Sequence, residues 1–271
     1  MNKYIVTTTI NPPTKATLLF CQKTDWKFII VGDLKTPQTL YELLAKKYSQ
    51  VTYLSPEKQN KLHKKLSTSI GWKTVERRNL GYVYAYNEGA DIVATVDDDN
   101  IPYASWGKKL HVGKTIAVDC YEPDNGIFDP LSVTKNNHLW HRGYPIELLP
   151  TKNNIKYVGK ITRKVLVQAD LWNGDPDIDA IARLTYKPMV KYTEIKKPYC
   201  SNSISPFNSQ NTFLAKEVFP YYAVLPYIGR MEDIWGAYIL QKYLPNCVIY
   251  NVPTVFQDRN KQDLIKNLED E

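Results

Sequence analysis

Nowhere in these 271 residues do cysteines gather: Cys21, Cys120, Cys200 and Cys247 are scattered, with no C-x-x-C pair and no clustered spacing. A zinc site or a disulfide framework is therefore not indicated, and free thiols in a reducing compartment are the expectation. Long apolar runs are missing too. The best, FIIV at 28–31, falls far short of the roughly 20 residues that a membrane span requires. The opening MNKYIVTTTINPP has one lysine but no sustained apolar region, so it reads as a first strand and not as a signal peptide. No N-x-[ST] acceptor occurs. Together these absences point to a cytoplasmic protein.

Glycine is equally informative. No two glycines are separated by a single residue, so the G-x-G-x-x-G loop is absent, as is G-x-x-x-x-G-K-[ST]. The usual dinucleotide-binding dehydrogenases and the P-loop NTPases are excluded on that ground. There is no G-x-S-x-G elbow for a nucleophilic serine. NGDPDID at 173–179 has a faint calcium-loop look, but counting from Asp175 it offers Ala180 and Tyr186 where that loop needs Gly and Glu.

What is present supports a sizeable core. Hydrophobic residues make up 43% of the chain, enough for one large α/β domain or two small lobes. The absence of a clear linker favours one composite domain. Lysine and arginine total 35 against 28 acidic residues, a balance that favours anionic partners. The lysines are thinly spread and no RNA or DNA module is recognisable, so nucleic acid is not an expected partner. Twenty tyrosines offer half-buried rings with hydroxyls at the surface.

The first third alternates strand and helix patterns. YIVTTTI (4–10), KFIIVGD (27–33) and QVTYL (50–54) read as strands, and TPQTLYELLAKKYS (36–49) as a helix opened by Thr36-Pro37. The segment 72–89 is a second helical pattern, and ADIVATVD follows as strand four. Such alternation implies βαβ units in a doubly wound sheet, whose ligands bind outside the carboxyl ends of the strands. Beyond about residue 104 the pattern loosens. GRMEDIWGAYILQKYL (229–244) is the best helix, with Ile234, Trp235, Tyr238 and Ile239 assigned to one face, and DRNKQDLIKNLEDE reads as a frayed polar tail.

Strand four ends in Asp97, Asp98 and Asp99. In an extended segment Asp97 and Asp99 point to one side and Asp98 to the other. Two convergent carboxylates repel unless a cation lies between them, and hard oxygen ligands suit Mg²⁺ or Mn²⁺ completed by substrate phosphates. The alternative is an acidic turn that caps the next helix or pairs with Lys108 and Lys109. His138 and His141, spaced i, i+3, would bring two imidazoles together on a helix, although such a pair is more often structural.

Several blocks in order, NPPT (11–14), VGDLKTP (31–37), ERRNLGYVYAYNEGAD (76–91), VDDDN (96–100), HRGYP (141–145), NGDPDIDAIARL (173–184), SPFNSQNT (205–212) and DIWGAYILQ (233–241), resemble the STELLO/DUF288 family of glycosyltransferases. DDD and RGYP are more distantly similar to the reversibly glycosylated polypeptides, the UDP-arabinopyranose mutases. The resemblance implies a GT-A fold, a Rossmann-like, mostly parallel sheet flanked by helices, with a nucleotide sugar (a UDP-sugar) as donor and Mn²⁺ or Mg²⁺ as cofactor. Residues 1–103 would form the nucleotide-sugar half, 104–258 the acceptor and sugar half, and 259–271 the polar tail. By that likeness Asp97 and Asp99 would hold the metal, with Asp97 and Asp98 also near the donor. Thr8, Arg77, Arg78, Arg142, Asp175 and Asp177 would approach the nucleotide sugar. Asp233 is the first candidate for the general base and Glu232 the second. Asp179 is a further candidate for sugar hydroxyls, and Trp172 and Trp235 for stacking on sugar rings, though core packing is the stronger expectation for both. The acceptor would be a glycan or a protein. Two alternatives stand beside transfer: a mutase working without acceptor, and a binding protein without turnover.

Overall fold

The computed structural model describes all 271 residues. The strands are β1 (Lys3–Thr9), β2 (Lys27–Gly32), β3 (Val51–Leu54), β4 (Ile92–Thr95), β5 (Asn100–Pro102), β6 (Thr115–Pro123), β7 (Ile155–Lys164), β8 (Val167–Gly174), β9 (Tyr199–Cys200), β10 (Thr212–Ala215) and β11 (Val248–Gln257). The helices are α1 (Lys15–Cys21), α2 (Gln38–Lys47), α3 (Pro56–Ile70), α4 (Arg78–Asn87), α5 (Ala180–Tyr186), α6 (Glu232–Tyr243) and α7 (Leu264–Asp270). All strands join one sheet in the order β3-β2-β1-β4-β10-β8-β11-β9-β6-β7, with β5 added against β11.

Side chains of β1, β2 and β4 alternate between two apolar layers, as a strand buried on both faces requires. Ile5, Phe28, Ile30, Ile92 and Ala94 join one cluster with Phe20 of α1 and Tyr41 of α2. Tyr4, Val6, Ile29, Val31 and Val93 join the other with Tyr82 and Ala85 of α4 and Leu240 of α6. Helices therefore cover both faces. Strands β1 to β4 are mutually parallel where they pair, as their connections through helices demand. The sheet as a whole is mixed, because β10 runs antiparallel to both β4 and β8. A consequence is that β8 and its parallel neighbour β11 point the same way as β1 and β4. The carboxyl ends of β1, β2, β4, β8 and β11 thus lie along one edge.

Helix α4 packs very close to that sheet. A Cβ at Gly81 would lie 2.5 Å from Val6 Cγ1 and 2.9 Å from Val31 Cγ2. Gly81→Ala is expected to lower stability by about 1–3 kcal/mol through overpacking, read as a lower urea midpoint at unchanged slope.

Three readings change against the structure. Helix α6 buries Ile234, Ala237, Leu240 and Gln241, while Trp235 and Ile239 stand exposed; the aromatic residues misplace the buried face because Gly236 and Ala237, which permit close approach, carry no hydrophobic bulk. His138 and His141 do not share a helix: His138 packs edge-on to Tyr186 and His141 lies against Trp172. The last segment is not frayed. Asp263 caps α7, and Glu271 is bound by the backbone N–H of Ala180 and by Arg230.

Candidate functional site at the carboxyl edge of the sheet

The strand ends enclose a cavity of about 450 Å³, and only 3 of its 26 lining residues are hydrophobic. The end of β1 (Thr8, Thr9) and the loops after β1 (Asn11), β2 (Asp33), β4 (Asp97, Asp98, Asp99), β8 (Asp177) and β11 (Arg259, Asn260) all contribute. Ser209, just before β10, and Glu232 and Asp233, at the start of α6, complete it. This is the position that the strand-end rule assigns to a ligand.

Asp97, Asp98 and Asp99 do not continue the strand. They form a turn in which the Asn100 N–H donates to the Asp97 carbonyl at 3.2 Å and the Asp97 N–H donates to Asn100 Oδ1 at 2.8 Å. The simple alternation of an extended chain therefore does not apply, and each carboxylate is held by a different part of the fold. Arg78 donates to Asp97 Oδ1 at 2.5 Å. Thr9 and Asn11 donate to Asp98 Oδ2 at 2.5 and 2.9 Å. Gln257 donates to Asp99 Oδ1 at 2.7 Å and the Asn260 N–H to its Oδ2 at 3.2 Å. Burial, with the charge of Asp97 added, pushes the Asp99 carboxyl up to about 7, against the pull of Arg259. Burial also raises Asp97, with Arg78 opposing it.

This donor set fits a hard divalent cation. The Asp97 side chain is 25% exposed and only its Oδ1 is paired, and Asp99 has neutral amide donors alone. No group of three or more His, Cys, Asp or Glu side chains forms a cage, so an ion here would take its other ligands from substrate and water, as Mg²⁺ commonly does.

Behind the aspartates lies a network of buried ions. Arg142 binds Asp177 through Nε and Nη2 at 3.1 and 2.9 Å, and the same Nη2 donates to Asp233 Oδ1 at 3.0 Å. The other Asp233 oxygen accepts from the Ser209 N–H and Oγ at 2.7 and 2.9 Å. Ser209 also receives Arg78 Nη1 on its carbonyl at 2.9 Å. Asn208 donates to Asp177 at 2.8 Å. Burial works against ionisation of Asp177, yet the charges of Arg142 and Arg259 outweigh it and hold its carboxyl well below the usual range.

Glu232 differs from its neighbour. Its Oε2 is buried without a hydrogen-bond partner. Burial, reinforced by the charge of Asp233 and opposed by Arg142, raises its carboxyl to about 8. Three guanidinium groups lining the cavity also have donors without a hydrogen bond: Arg78 Nε, Arg142 Nη1, and Arg259 Nε and Nη2, the last two in loose ion pairs with Asp175 at 3.5 Å and Asp177 at 3.7 Å. Unpaired buried donors on a cavity wall suit an anionic ligand.

The remaining sequence candidates are placed as follows. Thr8 lines the cavity and accepts from Arg78 at 3.3 Å. Arg77 borders it, but its nitrogens are bound to Gln59, Ser67 and Gly71 and its plane lies over Trp72; it fastens α3 to α4. Asp175 sits outside the cavity in an ion pair with Arg183. Asp179 caps α5 by accepting from the Ile181 N–H at 2.8 Å. Trp172 is buried, whereas Trp235 is 54% exposed. Sequence reasoning missed Arg259, Asn260, Ser209 and Asp33. Recognising VIYNVPTVFQ as a strand would have put Arg259 and Asn260 at a carboxyl end beside the aspartates.

Fold and site define a mixed α/β protein with a polar, ion-rich cavity at the carboxyl edge of its sheet. No protein-family model matches the chain. It is similar to two proteins of Arabidopsis thaliana, "Probable glycosyltransferase STELLO1" and "Probable glycosyltransferase STELLO2", each 22% identical over 236 residues. The STELLO resemblance read in the sequence is borne out by these relatives. The matched region covers 80% of this chain and 30% of each relative, so the chain spans well under half the length of the curated relatives it matches. No helix is long and apolar enough to cross a membrane.

Proposed function

We propose that this protein transfers a glycosyl group from a UDP-sugar to an acceptor hydroxyl, in a GT-A type site with Mn²⁺ or Mg²⁺ held by Asp97 and Asp99. The observation that carries this reading is the cavity itself, which brings paired hard carboxylates, unpaired guanidinium donors and an unpaired, proton-holding carboxyl together at the strand ends. Two relatives named as glycosyltransferases support the reaction class.

The bound ion would neutralise the diphosphate and stabilise the departing UDP as a Lewis acid. The chain's own residues do the rest. Arg259, whose Nε and Nη2 have only loose ion pairs with Asp175 and Asp177 and no hydrogen bond, supplies phosphate donors in a geometry that suits a guanidinium. Asp233 has both oxygens engaged, by Arg142 and Ser209, and positions these groups. Glu232 is the better base: its carboxyl is not held by Arg142 or Ser209 as Asp233 is, and in its ionised form it takes the proton of the acceptor hydroxyl as the glycosyl bond forms and the bond to UDP breaks. The order of the two acidic residues is thus reversed from the order the sequence suggests.

Arg259→Ala is expected to raise the KM for the donor about tenfold or more, the value of a charge-assisted hydrogen bond, with a smaller change in kcat. Steady-state kinetics at varied donor concentration checks this. The mutase alternative gains no support from Arg142, whose guanidinium is locked between Asp177 and Asp233. Chromatography of UDP-sugars incubated without acceptor separates the two: the transferase leaves the sugar ring form unchanged, and a mutase interconverts it.

A further inference from the structure

Arg142 and Gly143 are consecutive, yet Arg142 lines the ion-rich cavity and Gly143 lines a second one. The same division occurs on α6, where Glu232 and Asp233 face the first cavity and Met231, Ile234 and Trp235 face the second. The two cavities therefore share a wall made of the RGYP segment and the first turn of α6. Tyr238 fastens that wall by donating to the Gly143 carbonyl at 2.9 Å. Gly143 has φ +82°, and a Cβ there would overlap Ile234, so the two elements meet without room for a side chain between them.

The second cavity has a volume of about 580 Å³, and 10 of its 15 lining residues are hydrophobic, within the size and character of small-molecule sites. Trp235, 54% exposed, offers a broad flat face one helical turn from Glu232. The lining contains three carboxylates, Glu147, Asp179 and Glu271, and no Lys, Arg or His. An anionic ligand is disfavoured by that lining. A cationic one would meet only the exposed Glu147 as a free charge, because Glu271 is already neutralised by Arg230 at 2.8 Å and Asp179 is engaged in capping α5. A neutral ligand with an apolar face and hydroxyl donors matches both parts of the wall: its face covers the indole and its hydroxyls donate to carboxylate oxygens.

We propose that the second cavity is the acceptor subsite and that the acceptor is a neutral carbohydrate stacked on Trp235, with its reacting hydroxyl directed over the shared wall toward Glu232. This rests on the transferase reading above for its role in the reaction, but not for the binding itself.

The test uses the whole chain and four neutral tetrasaccharides, of gluco, manno, xylo and galacto configuration, titrated while tryptophan fluorescence is followed. Trp235 is the one strongly exposed tryptophan, so a saturable change is expected from at least one of them. Affinity should fall about tenfold or more in Trp235→Ala and recover in part in Trp235→Phe. UDP-sugar affinity should stay unchanged in both variants, which also shows that they are folded. The proposal is overturned if no tetrasaccharide binds, if Trp235→Ala binds as well as the wild type, or if a lysine-rich peptide or an octyl chain competes and the sugars do not. The two readings fail separately. Sugar binding that depends on Trp235, with no UDP-sugar binding, would sink the transferase and keep the subsite. Transfer with an unchanged acceptor KM in Trp235→Ala would do the reverse.

Discussion

Replacing Glu232 by glutamine is expected to lower kcat by about 10²–10⁴-fold, the range for loss of a general base, with donor affinity unchanged. The wild-type rate should rise as pH increases through about 8, where burial and the Asp233 charge place this carboxyl, because only the ionised form accepts a proton. That limb should vanish in Glu232→Gln. Stability carries the opposite sign. A carboxyl raised in the folded state holds its proton where the unfolded chain has lost it, so its contribution is complete below the ordinary glutamate range and is lost as pH rises through 8. Glu232→Gln should therefore be more stable than the wild type in mildly alkaline solution, a trade of stability for function. Rates and urea midpoints measured across the same pH series check both halves. A rate unchanged by the substitution would remove Glu232 from the reaction.

Arg142→Ala should cost about 3–5 kcal/mol, the penalty for leaving buried carboxylates without their cation. Arg142 is 4% exposed and holds both Asp177 and Asp233. Burial opposes its charge, but Asp177, Asp233 and Glu232 outweigh that and raise its pKa further. Lysine at this position retains the charge and loses the two-pronged contact with Asp177, so Arg142→Lys should fall between the wild type and alanine. Denaturation by urea at neutral pH measures the series. An alanine variant within about 1 kcal/mol of the wild type would mean that the network rearranges around the loss.

Strands β1 to β4, with α2 and α4, were legible in the sequence because each strand is a short run of β-branched and apolar residues, whereas α1 and α3 were not read. The second half was not legible, for reasons visible in particular strands. Strand β8 carries the polar Gln168 and Asp170, and Asp170 is satisfied by its strand neighbour Gln168 and by Asn251 and Thr254, the last two more than 80 residues away in sequence. Strand β11 contains Pro253 and shifts register between Asn251 and Val255, which breaks the alternation that marks a strand. Among the site residues, the three aspartates were readable because they follow a recognisable strand. Arg259 and Asn260 were not, because they follow β11. The free oxygen of Glu232 and the engaged oxygens of Asp233 depend on Ser209 and Arg142, and no local pattern could rank one above the other.

The central claim is that the aspartate turn and the guanidinium groups around it bind a nucleotide sugar together with a divalent ion. Calorimetric titration of UDP- and GDP-sugars, with and without Mn²⁺, on the wild type and on Asp99→Asn tests it directly. The account predicts saturable binding of a UDP-sugar that needs Mn²⁺ and is lost in Asp99→Asn. Failure of every donor to bind the folded protein, or binding that ignores both Mn²⁺ and the substitution, would contradict it.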